Sequence, residues 1–64
     1  MKYYKIYFAF LGTEIGVEVV REYSTLKNAI LGAKLRKLKN LHYFIIYEVS
    51  GDKKKEVYRR DYNA

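Results

Sequence analysis

The sequence lacks cysteine and proline, and it contains a single histidine. Without cysteine there is no disulfide framework and no thiolate metal site, which fits a reducing compartment, so we expect a cytoplasmic protein. The histidine, His42, has no evident second group with which to share acid–base work, and the scattered glycines form no phosphate-cradling loop. We therefore expect a binding protein without a cofactor rather than an enzyme.

Long hydrophobic runs are also missing. No uncharged segment approaches the roughly 20 residues that a helix needs to cross a bilayer. Lys2 resembles the charged start of a signal peptide, but Lys5 interrupts the apolar segment and no small-residue cleavage site follows. The sequence therefore predicts neither a membrane span nor a secretion signal.

Acidic residues are scarce, with 7 against 13 basic ones, and the formal net charge is +6. Residues 1–32 hold four basic and three acidic groups, a net of +1, whereas residues 33–64 hold nine and four, a net of +5. A positive field concentrated in this way attracts phosphate backbones and acidic proteins alike.

The few carboxylates do not predict a metal site. Glu14, Glu18 and Glu22 fall on the outer side of one predicted strand, where a spacing of four residues places successive carboxylates roughly 13 Å apart. Oxygen ligands must converge to within about 2.5 Å of one ion. We expect a solvated acidic stripe and no bound metal.

The remaining pattern predicts one small domain over residues 1–64. Residues 2–11 are aromatic and β-branched, and they predict a strand whose even positions face the core. Gly12 and Thr13 favour a tight reversal. Residues 14–22 alternate between apolar and polar types and predict a second, half-buried strand.

A helix is predicted over residues 25–40, because Ser24 is a typical N-cap and most of the following residues are good helix formers. One apolar stripe at helical spacing faces the sheet. A second stripe beside it consists of Leu31, Leu35 and Leu38. Gly32 is less favourable than Ala in a helix interior by about 1 kcal/mol, and a close approach of helix and sheet would explain it.

The second half of the chain predicts another hairpin, with an apolar strand over residues 41–49, a turn over 50–53 and a polar strand over 54–62. A last strand with so much charge suits the edge of a sheet, and the apolar first and third strands suit its centre. The predicted fold is α+β with the element order ββαββ. It consists of a four-stranded antiparallel sheet in strand order 2-1-3-4 with one helix packed on one face.

One helix covers one face of such a sheet, and half of the residues are hydrophobic. The uncovered face would carry the odd positions of the first strand. It would also carry either positions 43, 45 and 47 or positions 44 and 46 of the third strand, since both of its sides are apolar. A large apolar patch normally contacts a partner. The candidate interface residues are Tyr3, Tyr7, Tyr43 and Tyr47.

Basic and aromatic residues together form the constellation with the most functional weight. Proteins bind single-stranded nucleic acid with cations that follow the phosphates and aromatic rings that stack on the bases. The candidate nucleic-acid-binding residues are Lys37, Lys39, Lys53, Lys54, Lys55, Tyr58, Arg59 and Arg60. The first hypothesis is therefore a nucleic-acid-binding module that uses the last hairpin and the aromatic sheet face.

The same surface supports two other interpretations. The second hypothesis is a protein-binding module or inhibitor that acts as a homodimer through its aromatic sheet face. A small accessory protein of a phage or mobile element would fit that description. In the third interpretation, the lysines protect an edge strand and keep a small apolar protein in solution. On sequence alone, nucleic acid and protein remain alternative partners.

Overall fold

The computed structural model of the protein describes residues 1–12, 16–36 and 38–62. Within these residues there are four strands and one helix: β1 (Lys2–Phe10), β2 (Gly16–Glu18), α1 (Leu26–Leu35), β3 (Leu41–Ser50) and β4 (Lys53–Asp61). The strands form one antiparallel sheet in the order β2-β1-β3-β4. The predicted α+β fold and its strand order are therefore confirmed.

The two central strands, β1 and β3, supply most of the core. Their antiparallel register places Phe8 opposite Phe44 and Ile6 opposite Ile46, and all four side chains are buried on the helix side. The two phenylalanine rings meet edge to face with their centroids 6.1 Å apart, a favourable aromatic geometry. The even positions of β3 therefore face the helix, and Tyr43, which could have faced either way, lies on the opposite side.

The helix approaches the sheet through small residues. Ala29 and Ala33 are buried against β1 and β3, because a methyl side chain keeps the helix axis close to the strands. Gly32 lies against the ring of Tyr23, where an added Cβ would lie 2.5 Å from the tyrosine hydroxyl. A close approach at Gly32 therefore exists as expected, but the partner is Tyr23, which is attached to the sheet by a bridge to Tyr4.

The helix is shorter than predicted, and its cap is the next residue along the chain. Thr25, not Ser24, is the N-cap: its backbone is extended (φ −133°, ψ 152°), and its hydroxyl accepts a hydrogen bond of 3.1 Å from the Asn28 N–H. The helix ends at Leu35 and not near residue 40. Asn40, directly before β3, has the left-handed conformation (φ 62°).

The second strand is also shorter than the predicted span of residues 14–22. It pairs with β1 from Gly16 to Glu18, and residues 13–15 lie outside the described part of the chain. Further on, the Val19 N–H still donates to the Ile6 carbonyl over 2.8 Å.

Residues 20–22 bulge away from the sheet after β2. Val19 bonds to Ile6 and Tyr23 pairs with Tyr4, so β1 advances by two residues while the other segment advances by four. Val20 is 89% exposed as a result, although in a regular strand its side chain would lie on the sheet face opposite the helix. The predicted acidic stripe is not formed by the described residues, because Glu22 lies in this bulge; Glu14 is outside the described residues.

Both predicted reversals contain a glycine with positive φ, at Gly12 (78°) and Gly51 (61°). Gly51 and Asp52 form a two-residue loop between the paired residues Ser50 and Lys53. Glycine at the first central position suits a II′ turn, whose twist matches that of the flanking strands. The predicted turn over residues 50–53 is confirmed.

Candidate functional site

The sheet face opposite α1, which we call the open face, gathers all four predicted interface tyrosines. The register places Lys5 opposite Tyr47, Tyr7 opposite Ile45, and Ala9 opposite Tyr43. The polar and large apolar side chains of this face belong to Tyr3, Lys5, Tyr7, Glu18, Tyr43, Ile45, Tyr47, Val49, Lys54, Glu56, Arg59 and Asp61.

Two cations of the edge strand β4 lie on tyrosine rings of β3. The Arg59 guanidinium carbon is 4.1 Å from the ring centroid of Tyr43, and the Lys54 Nζ is 4.6 Å from that of Tyr47. Both distances are well within the range of an attractive cation–π contact. Arg59 is also held by Asp61, to which its Nη2 donates over 3.1 Å. The cations and the rings therefore form one layer on the open face.

A β-bulge decides which basic residues of β4 reach the open face. In a regular strand, residues 54 and 59 would point to opposite sides, because side chains alternate. Here Tyr47 pairs with Glu56 and Ile46 pairs with Tyr58, so Val57 is an extra residue and the alternation shifts by one. Lys54 and Arg59 consequently share the open face.

Glu18 of β2 is clamped between two lysines that come from two other strands. Its Oε1 is 3.2 Å from the Lys5 Nζ of β1, and its Oε2 is 3.1 Å from the Lys54 Nζ of β4. The hydrogen bond from Lys54, then that from Lys5, lowers the pKa of the Glu18 carboxyl below its ordinary value. Since β1 and β3 separate β2 from β4, the Glu18 and Lys54 side chains meet over the centre of the face.

The cations and tyrosines of the open face cover part of the apolar surface that the sequence predicts to be uncovered. Ile45, in the middle of the open face, is 6% exposed, and it is flanked in register by Tyr7 and Arg59. The four tyrosines are half-buried. The stems of long basic side chains shield apolar surface while their charged ends stay in water. The apolar side chain at the centre of the open face is therefore already covered within one chain.

The predicted nucleic-acid-binding residues are divided between the two sides of the sheet. Lys54 and Arg59 lie on the open face, whereas the register puts Lys53, Lys55, Tyr58 and Arg60 on the helix side. Lys39 is exposed in the turn before β3, and Lys37 lies outside the described residues.

Tyr58 has a packing role in addition to any binding role. Its ring stacks on Phe44 with the centroids 5.9 Å apart, and Tyr62 packs against the same phenylalanine at 6.1 Å. The Arg60 guanidinium carbon lies 5.2 Å from the Tyr62 ring centroid. These residues extend the core beyond the short helix.

Lys5, Glu18 and Lys54 form a charged cluster on the open face. Sequence reasoning missed two of its members, Lys5 and Glu18. Lys5 could have been found, since it lies between Tyr3 and Tyr7 at the odd positions of β1 that form the open face. The meeting of Glu18 with Lys54 had no signal in the sequence, because the two residues are far apart along the chain and lie in opposite edge strands.

The helix side carries a second exposed apolar surface. Leu31 and Leu35 on α1 are 49% and 78% exposed, and Leu38 beyond the helix is 40% exposed. A shallow groove of about 420 Å³ lies beside Leu31 and Leu35, between α1 and residues 21–24. Its ionisable groups include Arg21 and Glu22.

The remaining candidate groups are the single histidine and the potential metal ligands. His42 is exposed and packs edge to face on Tyr43, away from the groove. In the described ranges, no three potential metal ligands converge and no helix is long and apolar enough to cross a membrane. Comparisons with protein-family models, with curated proteins and with solved structures found no match for the chain.

Proposed function

We propose that the protein is a non-enzymatic module that binds single-stranded nucleic acid on its open face, within the cytoplasm. The observation that carries the proposal is the placement of Lys54 and Arg59 over the rings of Tyr47 and Tyr43. Cations and aromatic rings thereby occupy one surface, as backbone tracking and base stacking both require.

Single strands suit this surface better than duplexes do. An unpaired base offers its π-face to a tyrosine ring or to the plane of an arginine side chain, whereas a duplex keeps its bases stacked inside. Arg59 already lies on Tyr43, so a base can stack on the outer side of its guanidinium group or replace it on the ring.

The number of cations on this face sets the expected salt dependence. Lys5, Lys54 and Arg59 lie on the open face. If these cations neutralise two or three phosphates of a single strand, log K should fall with log salt with a slope of about −1.4 to −2. A much steeper slope would place the nucleic acid on the whole basic surface.

The test compares two variants that lose the same charge from the same strand. K54Q/R59Q removes the two β4 cations of the open face, and K55Q/R60Q removes two from the helix side. We expect K54Q/R59Q to weaken the binding of a labelled deoxythymidine oligomer at least about tenfold, because phosphate and stacking contacts are lost together. K55Q/R60Q should lose only a small, salt-sensitive fraction of the binding affinity. Fluorescence anisotropy at low salt measures both affinities, and circular dichroism checks the folding of both variants.

Equal losses in the two variants would contradict the proposal, because diffuse charge would then explain the binding. If the unmodified protein binds no oligonucleotide at low salt, nucleic acid is removed as the ligand of the open face. The open face would then be a candidate site for a protein partner, including a second copy of this chain. Light scattering of the unmodified protein and of the Tyr7→Ser/Tyr47→Ser variant would test that use.

A further inference from the structure

The charged cluster on the open face has the form of an anion clamp. Lys5 and Lys54 each take a different oxygen of the Glu18 carboxylate, at 3.2 and 3.1 Å. The three residues come from three strands, β1, β4 and β2, so the clamp depends on the assembled sheet. Glu18 is the negative group that this arrangement holds in the free protein.

A phosphodiester group resembles the clamped carboxylate in the features that matter here. It carries one negative charge that is shared by two non-bridging oxygens, so each oxygen can accept a hydrogen bond from a different ammonium group. Lysine recognises phosphate as a compact point charge and does not need a fixed planar geometry. The pair Lys5 and Lys54 can therefore exchange Glu18 for a backbone phosphate without rearrangement of the strands.

The surroundings of the clamp suit a nucleotide. Tyr47 lies opposite Lys5 in the sheet and beneath the Lys54 Nζ, 4.6 Å from its ring centroid. A phosphate between the two lysines would therefore have an aromatic ring beside it for the adjoining base. Glu18 can leave readily, because its side chain is 37% exposed and it belongs to a three-residue edge strand.

We propose that Lys5 and Lys54 form the phosphodiester subsite of the open face, and that Glu18 occupies this subsite in the free protein as an internal competitor. The inference rests on the proposed function and deepens it. Each binding event must break two ion pairs, both weakened by solvent exposure, so Glu18 reduces the affinity for nucleic acid without abolishing it.

The test uses two variants that make the same change of charge. E18Q keeps the size of the side chain and removes the competing charge, and E22Q does the same in the exposed bulge after β2. We expect E18Q to bind the deoxythymidine oligomer about fivefold more tightly than the unmodified protein, on the scale of two weak, exposed ion pairs. E22Q should change the affinity by less than about twofold, because its charge is exposed and screened.

A second readout needs no variant. Carbon-detected NMR of the Glu18 carboxyl group gives its pKa, which the two lysines hold low in the free protein. Saturating oligonucleotide should raise that pKa towards its ordinary value, because both lysines then contact phosphate.

The outcomes separate this inference from the proposed function. If E18Q and E22Q bind alike and the Glu18 pKa does not move, the subsite is wrong. The proposed function is then still decided by the comparison of K54Q/R59Q with K55Q/R60Q. Tighter binding by E18Q than by the unmodified protein and by E22Q would support the competitor directly. If neither the unmodified protein nor E18Q binds, both the subsite and the function are overturned.

Discussion

At the scale of single residues, two glycines make room for tyrosine rings. The ring of Tyr7 lies on Gly16 on the open face, and the ring of Tyr23 lies on Gly32 of the helix. An added Cβ would overlap the ring at either position. These glycines are explained by close contact, unlike Gly12 and Gly51, which supply positive φ in turns.

Gly32→Ala should destabilise the fold even though alanine is the better helix former. In an open helix the change would stabilise by about 1 kcal/mol. Here the new Cβ would lie 2.5 Å from the Tyr23 hydroxyl and 2.8 Å from the ring carbon that carries it, so the buried ring must move. We expect a net loss of about 1–2 kcal/mol, which is usual for overpacking, in urea unfolding followed by circular dichroism.

The Tyr23→Leu background provides the control for Gly32→Ala. Leucine lacks the hydroxyl and the outer ring atoms that meet the new methyl group, so the intrinsic helix preference should reappear. Gly32→Ala should then be neutral or stabilising. An equal loss in both backgrounds would show that Tyr23 is not the cause.

At the scale of elements, the helix is held in place by its N-cap residue, Thr25, and by two alanines. Ala29 and Ala33 bring α1 close to the central strands, and the Thr25 hydroxyl satisfies one of the free N–H groups of the first turn. The helix has ten residues, which is marginal for a helix in isolation. Its stability therefore depends on the cap and on packing.

Replacing the cap distinguishes Thr25 from its neighbour Ser24. We expect Thr25→Ala to cost about 1 kcal/mol of unfolding free energy, because the Asn28 N–H loses its acceptor. Ser24→Ala should change the free energy by less than about 0.5 kcal/mol, as exposed substitutions commonly do. Thermal unfolding of both variants checks this, and a larger effect at Ser24 would reverse the assignment of the cap.

At the scale of the whole molecule, charged side chains connect the two edges of the sheet. Lys54 of β4 reaches Glu18 of β2 over the two central strands, and Lys5 joins the same carboxylate. The contact ties together Glu18 and Lys54, which α1 and β3 separate along the chain. It also makes the stability of the sheet sensitive to the protonation of Glu18.

The stabilising effect of Glu18 should therefore disappear in acid. Its carboxyl pKa is lower in the fold than the ordinary value of 4.5, so the fold favours the ionised form. The contribution is present above pH 4.5 and is lost as the pH falls through the lowered value, because protonation breaks both ion pairs. The Tm difference between the unmodified protein and E18Q should be greatest near neutral pH and should shrink as the pH falls below 4.5. A difference that does not change with pH, or an equal trend in E22Q, would contradict this.

The sequence by itself determined the elements and their order in the sheet. Apolar alternation marks β1, the even spread of apolar residues marks β3 as central, and the charges of residues 53–61 mark β4 as an edge. These are local signals, because burial and exposure act on each segment through its own composition. The same alternation predicted that Tyr3 and Tyr7 lie on the open face.

Tertiary structure decided the rest, because it depends on pairing between distant segments. Both sides of β3 are apolar, so the side on which Tyr43 lies was set by the register with β1. The extra residue Val57 brought Lys54 and Arg59 to one face, and no local pattern marks that bulge. The length of β2 and the clamp around Glu18 were likewise set by the strands against which they pack.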